Sequence, residues 1–232
     1  MIWFLGTAPV TLLLLRSYPQ QYGWLPDGQR AEPGQVAQVL GTPIREAVRS
    51  RFFRAVSIGY IFAFGAQVGG VLQLIKLVEE RTDRSTATMA TIVLSVSSII
   101  SRFVAGRIIP RVDMTRFTVG LAVVQGSSLA GVAMINSRLG LLMAIALLGT
   151  TIGNMVMMQS LLIAEHFGVR DYPRIAASAG LISYAGIALG PLLLGWLYDV
   201  AGGYRSSYLA AAACSIVGAV MISFAGSASP EP

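Results

Sequence analysis

Six apolar runs, each long enough to cross a bilayer, constrain this chain more than any other feature. They fall at about 55–78, 86–109, 115–136, 139–164, 175–198 and 205–226. A hydrocarbon core of about 30 Å asks for roughly 20 helical residues. The stretch from Ala55 to Ile75 carries no charge and would extend about 31 Å as a helix. The 232 residues are 54% apolar and 12% charged, against about 25% charged in an ordinary soluble domain. So few charges cannot cover so much apolar surface in water, and the natural solvent is lipid. No stretch alternates with period two, the pattern of a membrane β-barrel. The expected fold is all-α, a polytopic membrane bundle with six full transmembrane helices.

A seventh run, Ile2 to Leu15, would reach about 21 Å, too short to span. Arg16 follows it and no basic segment precedes it, unlike a signal peptide. It reads as the end of a helix whose beginning is missing, over residues 1–17. Residues 18–54 form a polar connection rich in Pro, Gly and Gln. Within it, Thr42 to Arg54 reads as a helix lying on the membrane surface, with Thr42 as cap, Pro43 in the first turn, and Ile44, Ala47 and Val48 on one face. The six-helix unit then occupies 55–226, and 227–232 form a tail.

The net charge of +6 invites a nucleic-acid reading until its positions are followed. The segments 16–54, 102–116 and 165–174 hold twelve of the 17 basic residues, and the alternate loops hold the other five. Six crossings require that alternation. The richer side is then cytoplasmic, and the chain ends there. The expected setting is a bacterial inner membrane, with the bilayer as partner and no nucleic acid. Trp196, Tyr198, Tyr204 and Tyr208 cluster at the other surface, where an interfacial aromatic belt is expected.

The second span carries the chemistry. Thr88, Thr91, Ser95, Ser98 and Arg102 follow at steps of 3, 4, 3 and 4, which places them on one helix face. Hydroxyls ending in a guanidinium suit protein or a water-filled cavity, and the guanidinium suits a carboxylate or similar anion. In the first span Tyr60, Phe64, Gln67 and Val71 share a face, so Tyr60 and Gln67 are candidates for the same path. Asn154 in the fourth span is another. Gln125 and Gln159 are further intramembrane amides that need partners. Gly65 with Gly69, Gly149 with Gly153 and Gly186 with Gly190 are pairs that permit close helix approach. No acidic residue lies mid-span, which leaves no evident proton carrier. One cysteine, Cys214, and one histidine, His166, provide no metal cluster, and no catalytic or nucleotide-binding motif appears. The chain does not read as an enzyme, and no cofactor is expected.

Three stretches resemble the C-terminal half of a major facilitator superfamily transporter. One is Gly190-Pro191 through Gly195, Trp196, Tyr198 and Asp199 to Gly202, Tyr204 and Arg205. The second is Arg102 through Gly106, Arg107 and Pro110 to Arg111, similar to the superfamily's short basic turn between helices eight and nine. The third is Glu165-His166-Phe167-Gly168-Val169-Arg170. Arg16 to Pro19 and Tyr22 to Gly28 are similar to the end of helix six and the central loop of the monocarboxylate and oxalate–formate type branch.

That resemblance implies that the six spans are helices seven to twelve and that residues 1–17 end helix six. It gives Gly106, Arg107, Arg111, Gly190, Pro191 and Asp199 gating or turn roles. It also associates Arg102, four residues before Gly106, with carboxylate substrates. Pro110 and Ser98 stand where members often carry Asp. The implied function is secondary transport of a small organic anion by alternating access, with a coupled ion as a further partner. Arg102 would hold the substrate, and Tyr60, Gln67, Ser95, Ser98 and Asn154 would line its path. The other half would come from a missing N-terminal part or a second copy. The competing reading is a non-transporting six-helix scaffold or partner-binding remnant.

Overall fold

The structure, a computed structural model, describes residues 41–227. The readings made for residues 1–40 and for most of the tail lie outside the described residues. After a short turn, α1 (Ile44–Ala47), come six long helices: α2 (Arg51–Arg81), α3 (Arg84–Ile108), α4 (Met114–Met134), α5 (Arg138–Phe167), α6 (Tyr172–Ala201) and α7 (Tyr204–Ser223). A 3₁₀ turn, Ile109–Arg111, extends α3. All six are long and apolar enough to cross a membrane, and each expected span lies on one of them.

Local chemistry sets the boundaries. The Ser50 hydroxyl accepts from the Phe53 N–H at 3.1 Å, opening α2. The Asp113 carboxylate accepts from the Arg116 N–H at 2.7 Å, opening α4. Both are side-chain N-caps. Gly202 (φ 69°) ends α6 in the left-handed region that favours glycine. The helix expected from Thr42 to Arg54 is instead broken in two. Ser50 takes extended backbone (ψ 151°) to cap α2, and only Ile44–Ala47 remains helical before it. Thr42 is not the cap of that turn either. The Asp171 carboxylate, from the α5–α6 turn, accepts the Ile44 N–H at 3.0 Å. The Thr42 N–H donates to the Phe167 carbonyl at 2.8 Å. Ala47 is buried, with Ile44 and Val48 packed against the same core, so this segment rests on the bundle. His166, half-buried, stacks on Phe52 with ring centroids 3.8 Å apart.

α2 is the hub, packed on α6 along one side and α7 along another. Without a hydrophobic drive between helices in lipid, close backbone approach supplies the attraction. A Cβ on Gly69 would lie 2.9 Å from the Gly190 carbonyl oxygen, and added Cβ atoms on Gly186 and Gly190 would strike the carbonyls of Ile61 and Gly65. On the other side, a Cβ on Gly59 would lie 2.9 Å from the Gly218 carbonyl oxygen, and one on Gly218 would lie 2.8 Å from the Gly59 carbonyl oxygen. Two large apolar clusters, with a small third one of Ala105, Ile109 and Met158, fill most of the interior. One gathers around Leu77, Leu129, Leu148 and Tyr208; the other gathers around Phe53, Tyr60, Met155 and Ile163.

The aromatic belt needs correction. Tyr208 is fully buried and donates to the Gly70 carbonyl at 2.6 Å. Tyr204 is buried beside it, and of the four only Trp196 is strongly exposed. A tyrosine near a helix end reads as an interfacial anchor in sequence, but a glycine-thinned α2 leaves room to take it inside.

At the start of α3, Asp83 accepts from Ser85 Oγ at 2.6 Å, from the Thr86 N–H at 2.8 Å and from Thr86 Oγ1 at 2.9 Å. The Ser85 hydroxyl, then the Thr86 N–H and hydroxyl, hold the carboxyl down at about 2. A lowered folded-state value stabilises the cap above the ordinary carboxylate range, and this is lost as pH falls toward 2. Between pH 4 and pH 2, melting of the native protein should therefore lose an increment that is smaller in Asp83→Asn. Separately, Gly186→Val should destabilise the bundle by ~3 kcal/mol through overpacking at Ile61, measured as equilibrium unfolding in mixed micelles. A near-native value would show that the α2–α6 contact is not close.

Candidate functional site: the polar face of α3

α3 is the least covered span. Of its most apolar stretch 11% is buried, against 56% for α2 and for α5. Its covered side faces α5, where small residues interlock. A Cβ on Gly149 would meet the Ser97 hydroxyl and lie 2.6 Å from the Leu94 carbonyl oxygen, and a Cβ on Gly153 would meet the Arg102 guanidinium. Asn154, next to Gly153, donates through Nδ2 to Ser101 Oγ at 3.2 Å and to the Thr150 carbonyl at 2.8 Å.

The predicted stripe lies beside this covered side. Thr88, Thr91, Ser95 and Arg102 are exposed, and Ser98 is half-buried. Three of the hydroxyls donate back into their own helix: Thr88 to Arg84, Thr91 to Ala87 and Ser95 to Thr91, at 2.9–3.2 Å. Their donors are thus internally satisfied while their oxygens keep accepting capacity. Arg102 is different. Its guanidinium lies across Gly153, where no side chain opposes it, and among the described residues no hydrogen bond to it is formed. A planar group with up to five N–H donors, seated on a glycine at a helix crossing, can present two parallel donors to a carboxylate.

The other predicted path residues do not join it. Tyr60 is fully buried and donates to the Met155 carbonyl at 3.0 Å, with its ring edge-on to Phe64 at 5.0 Å. Gln67 donates to Gln125 Oε1 at 2.8 Å. Gln125 in turn donates to the Ala63 carbonyl at 2.9 Å and to Ser215 Oγ at 3.0 Å, a network tying α2, α4 and α7. Gln159 donates to Ser183 Oγ at 2.7 Å, joining α5 to α6. The shared face of Tyr60 and Gln67 is therefore the bundle interior. Asn154 comes closest to Arg102, through Ser101 and Gly153.

The turn residues divide between the two ends of the bundle. Gly106 is open, with nothing within 4 Å of an added Cβ. Arg107, which donates to the Phe103 carbonyl at 3.2 Å, and Arg111 are exposed at the α3–α4 turn. Asp199 is exposed in the last turn of α6. Gly190 is buried at the α2–α6 crossing, and Pro191 is half-buried beside it.

Sequence reasoning passed over Ser97 and Ser101, the residues that bring α3 onto α5. The signal was present. Ser97 and Ser101 are four apart, as are Gly149 and Gly153, and two such small pairs suit one another across a helix crossing. It also passed over Arg81, which donates to the Val132 and Ala133 carbonyls at 2.7 and 3.3 Å and so satisfies the open C-terminal end of α4.

Six helices long and apolar enough to cross a membrane make the described chain a multi-pass helical bundle. The Major Facilitator Superfamily model matches residues 1–184, and the chain belongs to that superfamily, whose members are membrane transporters rather than enzymes. No curated protein matches the chain.

The polar face predicts a reactivity pattern. With Cys214 replaced by Ser, Thr91→Cys and Ser95→Cys should react with a water-soluble methanethiosulfonate at least about tenfold faster than Ile92→Cys and Val96→Cys, because a polar stripe is tolerated mid-membrane only against water or protein. Equal rates in membrane vesicles would remove the case for a hydrated face.

Proposed function

We propose that this chain forms the C-terminal half of a secondary transporter in a bacterial inner membrane, carrying a small organic anion by alternating access, with Arg102 as the anion-binding residue. The observation that carries the reading is the exposed α3 face, Thr88 to Arg102, in an otherwise apolar helix. A guanidinium without a protein partner costs free energy in hydrocarbon, whereas facing a carboxylate in a hydrated path it forms charge-assisted hydrogen bonds. The opposing wall would be a second six-helix half, and the substrate would lie between the halves near the midplane.

In this reading Arg102 binds the anion, and Ser95 and Ser98 line the path with it. Asn154 acts at one remove: its bond to Ser101 fixes the turn from which Arg102 projects. Tyr60 and Gln67 hold the bundle together. Gly106, Arg107 and Arg111 would form the cytoplasmic turn, and Gly190, Pro191 and Asp199 the outer half of a gating helix. The hydroxyls enter by rotating away from their backbone carbonyls when an anion supplies a better acceptor, at little net cost per bond exchanged.

Uptake of radiolabelled small carboxylates by cells expressing the full-length protein tests this. Arg102→Ala should lower uptake by about 10–100-fold, the worth of a charged hydrogen-bonded pair. Arg102→Lys should recover only part of it, since an ammonium cannot reproduce the two-pronged contact. Wild-type transport by both variants, for every carboxylate the protein carries, would overturn the anion-site role.

A further inference from the structure

A second site lies on the other side of Ser101. α3 and α4 each pack on α5 more than on one another, leaving a crevice of about 360 Å³ between them with α5 as its floor. That volume is within the range of small-molecule sites, about 300–1,000 Å³. Its walls are apolar: Val104 and Ile108 from α3, and Phe117 and Leu121 from α4. Its floor is polar, made by Thr150 and Asn154 of α5 with Ser97 and Ser101 from the adjoining edge of α3.

The floor has an unusual property. Asn154 is 2% exposed, and its Oδ1 has no hydrogen-bond partner among the described residues. The orientation of the amide is fixed, because the other amide atom lies 2.8 Å from the Thr150 carbonyl oxygen, which can only accept. All three hydroxyls already donate elsewhere: Ser97 to the Val93 carbonyl at 2.5 Å, Ser101 to Ser98 at 3.0 Å and Thr150 to Leu147 at 2.7 Å. The described lining residues therefore offer acceptors and no free donor. A carboxylate, which only accepts, would be repelled there, so this site is chemically opposite to Arg102. A cation is disfavoured too, because no charged side chain among the described residues lines the crevice and a lone charge is costly at this depth. The complement is a neutral molecule with an apolar body and one hydroxyl.

We propose that the crevice between α3 and α4 binds a small neutral amphiphile that enters from the bilayer and donates its hydroxyl hydrogen to Asn154 Oδ1. The apolar body lies between Val104 and Ile108 on one side and Phe117 and Leu121 on the other. Because Asn154 also holds Ser101, an occupant braces α3 against α5 from the face away from Arg102. The site does not depend on the transport reading, and its test measures no transport.

The test uses the whole chain in phosphatidylcholine nanodiscs, with thermal unfolding followed against the concentration of 4-butylphenol or its methyl ether, 4-butylanisole. The two probes differ by the hydroxyl donor. The phenol should stabilise the protein with an apparent affinity about tenfold tighter than the ether, the worth of one satisfied buried acceptor. Asn154→Leu should make the two probes equal. Val104→Trp, at a position that is 49% exposed and so tolerant of bulk, should fill the crevice and abolish stabilisation by the phenol. Equal stabilisation of the native protein by both probes, or none by either, would overturn the proposal, leaving the crevice to water or lipid chains. Undiminished phenol binding in Val104→Trp would overturn it equally.

Discussion

The closeness of α2 to two neighbours at once is the interaction on which the bundle depends. In lipid, burying a leucine between helices gains little over leaving it against an acyl chain, so helices cohere by fit and polar contact. Gly65 and Gly69 bring α2 onto the backbone of α6, and Gly59 brings it onto Gly218 of α7. Dispersion falls steeply with distance, so the missing Cβ atoms turn a loose crossing into a dense one. Gln67, Gln125 and Ser215 join three helices by hydrogen bonds, adding geometric specificity where fit alone would let helices slide.

α3 is held by a variation on the same device. Gly149 and Gly153 of α5 again supply the space, but side chains enter it: Ser97 over the first glycine and Arg102 over the second. The helix is gripped along one narrow seam and left open elsewhere. A glycine under the guanidinium gives Arg102 a flat seat at the edge of that seam, near enough to protein to be oriented and still exposed. The same narrowness leaves the acceptor-lined crevice on the seam's other flank.

Much of this was legible in the sequence. Length and hydropathy identify six helices because hydrocarbon forbids any other way of satisfying so many backbone groups in a continuous apolar run. The stripe from Thr88 to Arg102 was legible because polar residues at helical spacing stand out against an apolar background. The role of Tyr60 and Gln67 was not. In water a polar face points outward, but in a membrane bundle an amide is as well placed between helices as beside a cavity, and periodicity gives the same pattern for both. Tyr208 misled for a related reason, since only the packed structure shows the room beside Gly70. The break at Ser50 was hidden because Ser50 can either continue a helix or cap the next, and the Asp171 carboxylate that secures α1 lies 127 residues away from Ile44 in the chain.

That last contact has a mechanical meaning. Thr42 and Ile44 are fastened to the corner between α5 and α6 by the Phe167 carbonyl and the Asp171 carboxylate, and seven residues after Ile44 the chain enters α2 at Arg51. The segment is thus a short strap between the hub helix and the corner of two others. Tilting α2 pulls on that corner, and displacing the corner pulls on α2. Three helices at this end of the bundle are thereby linked through one short segment.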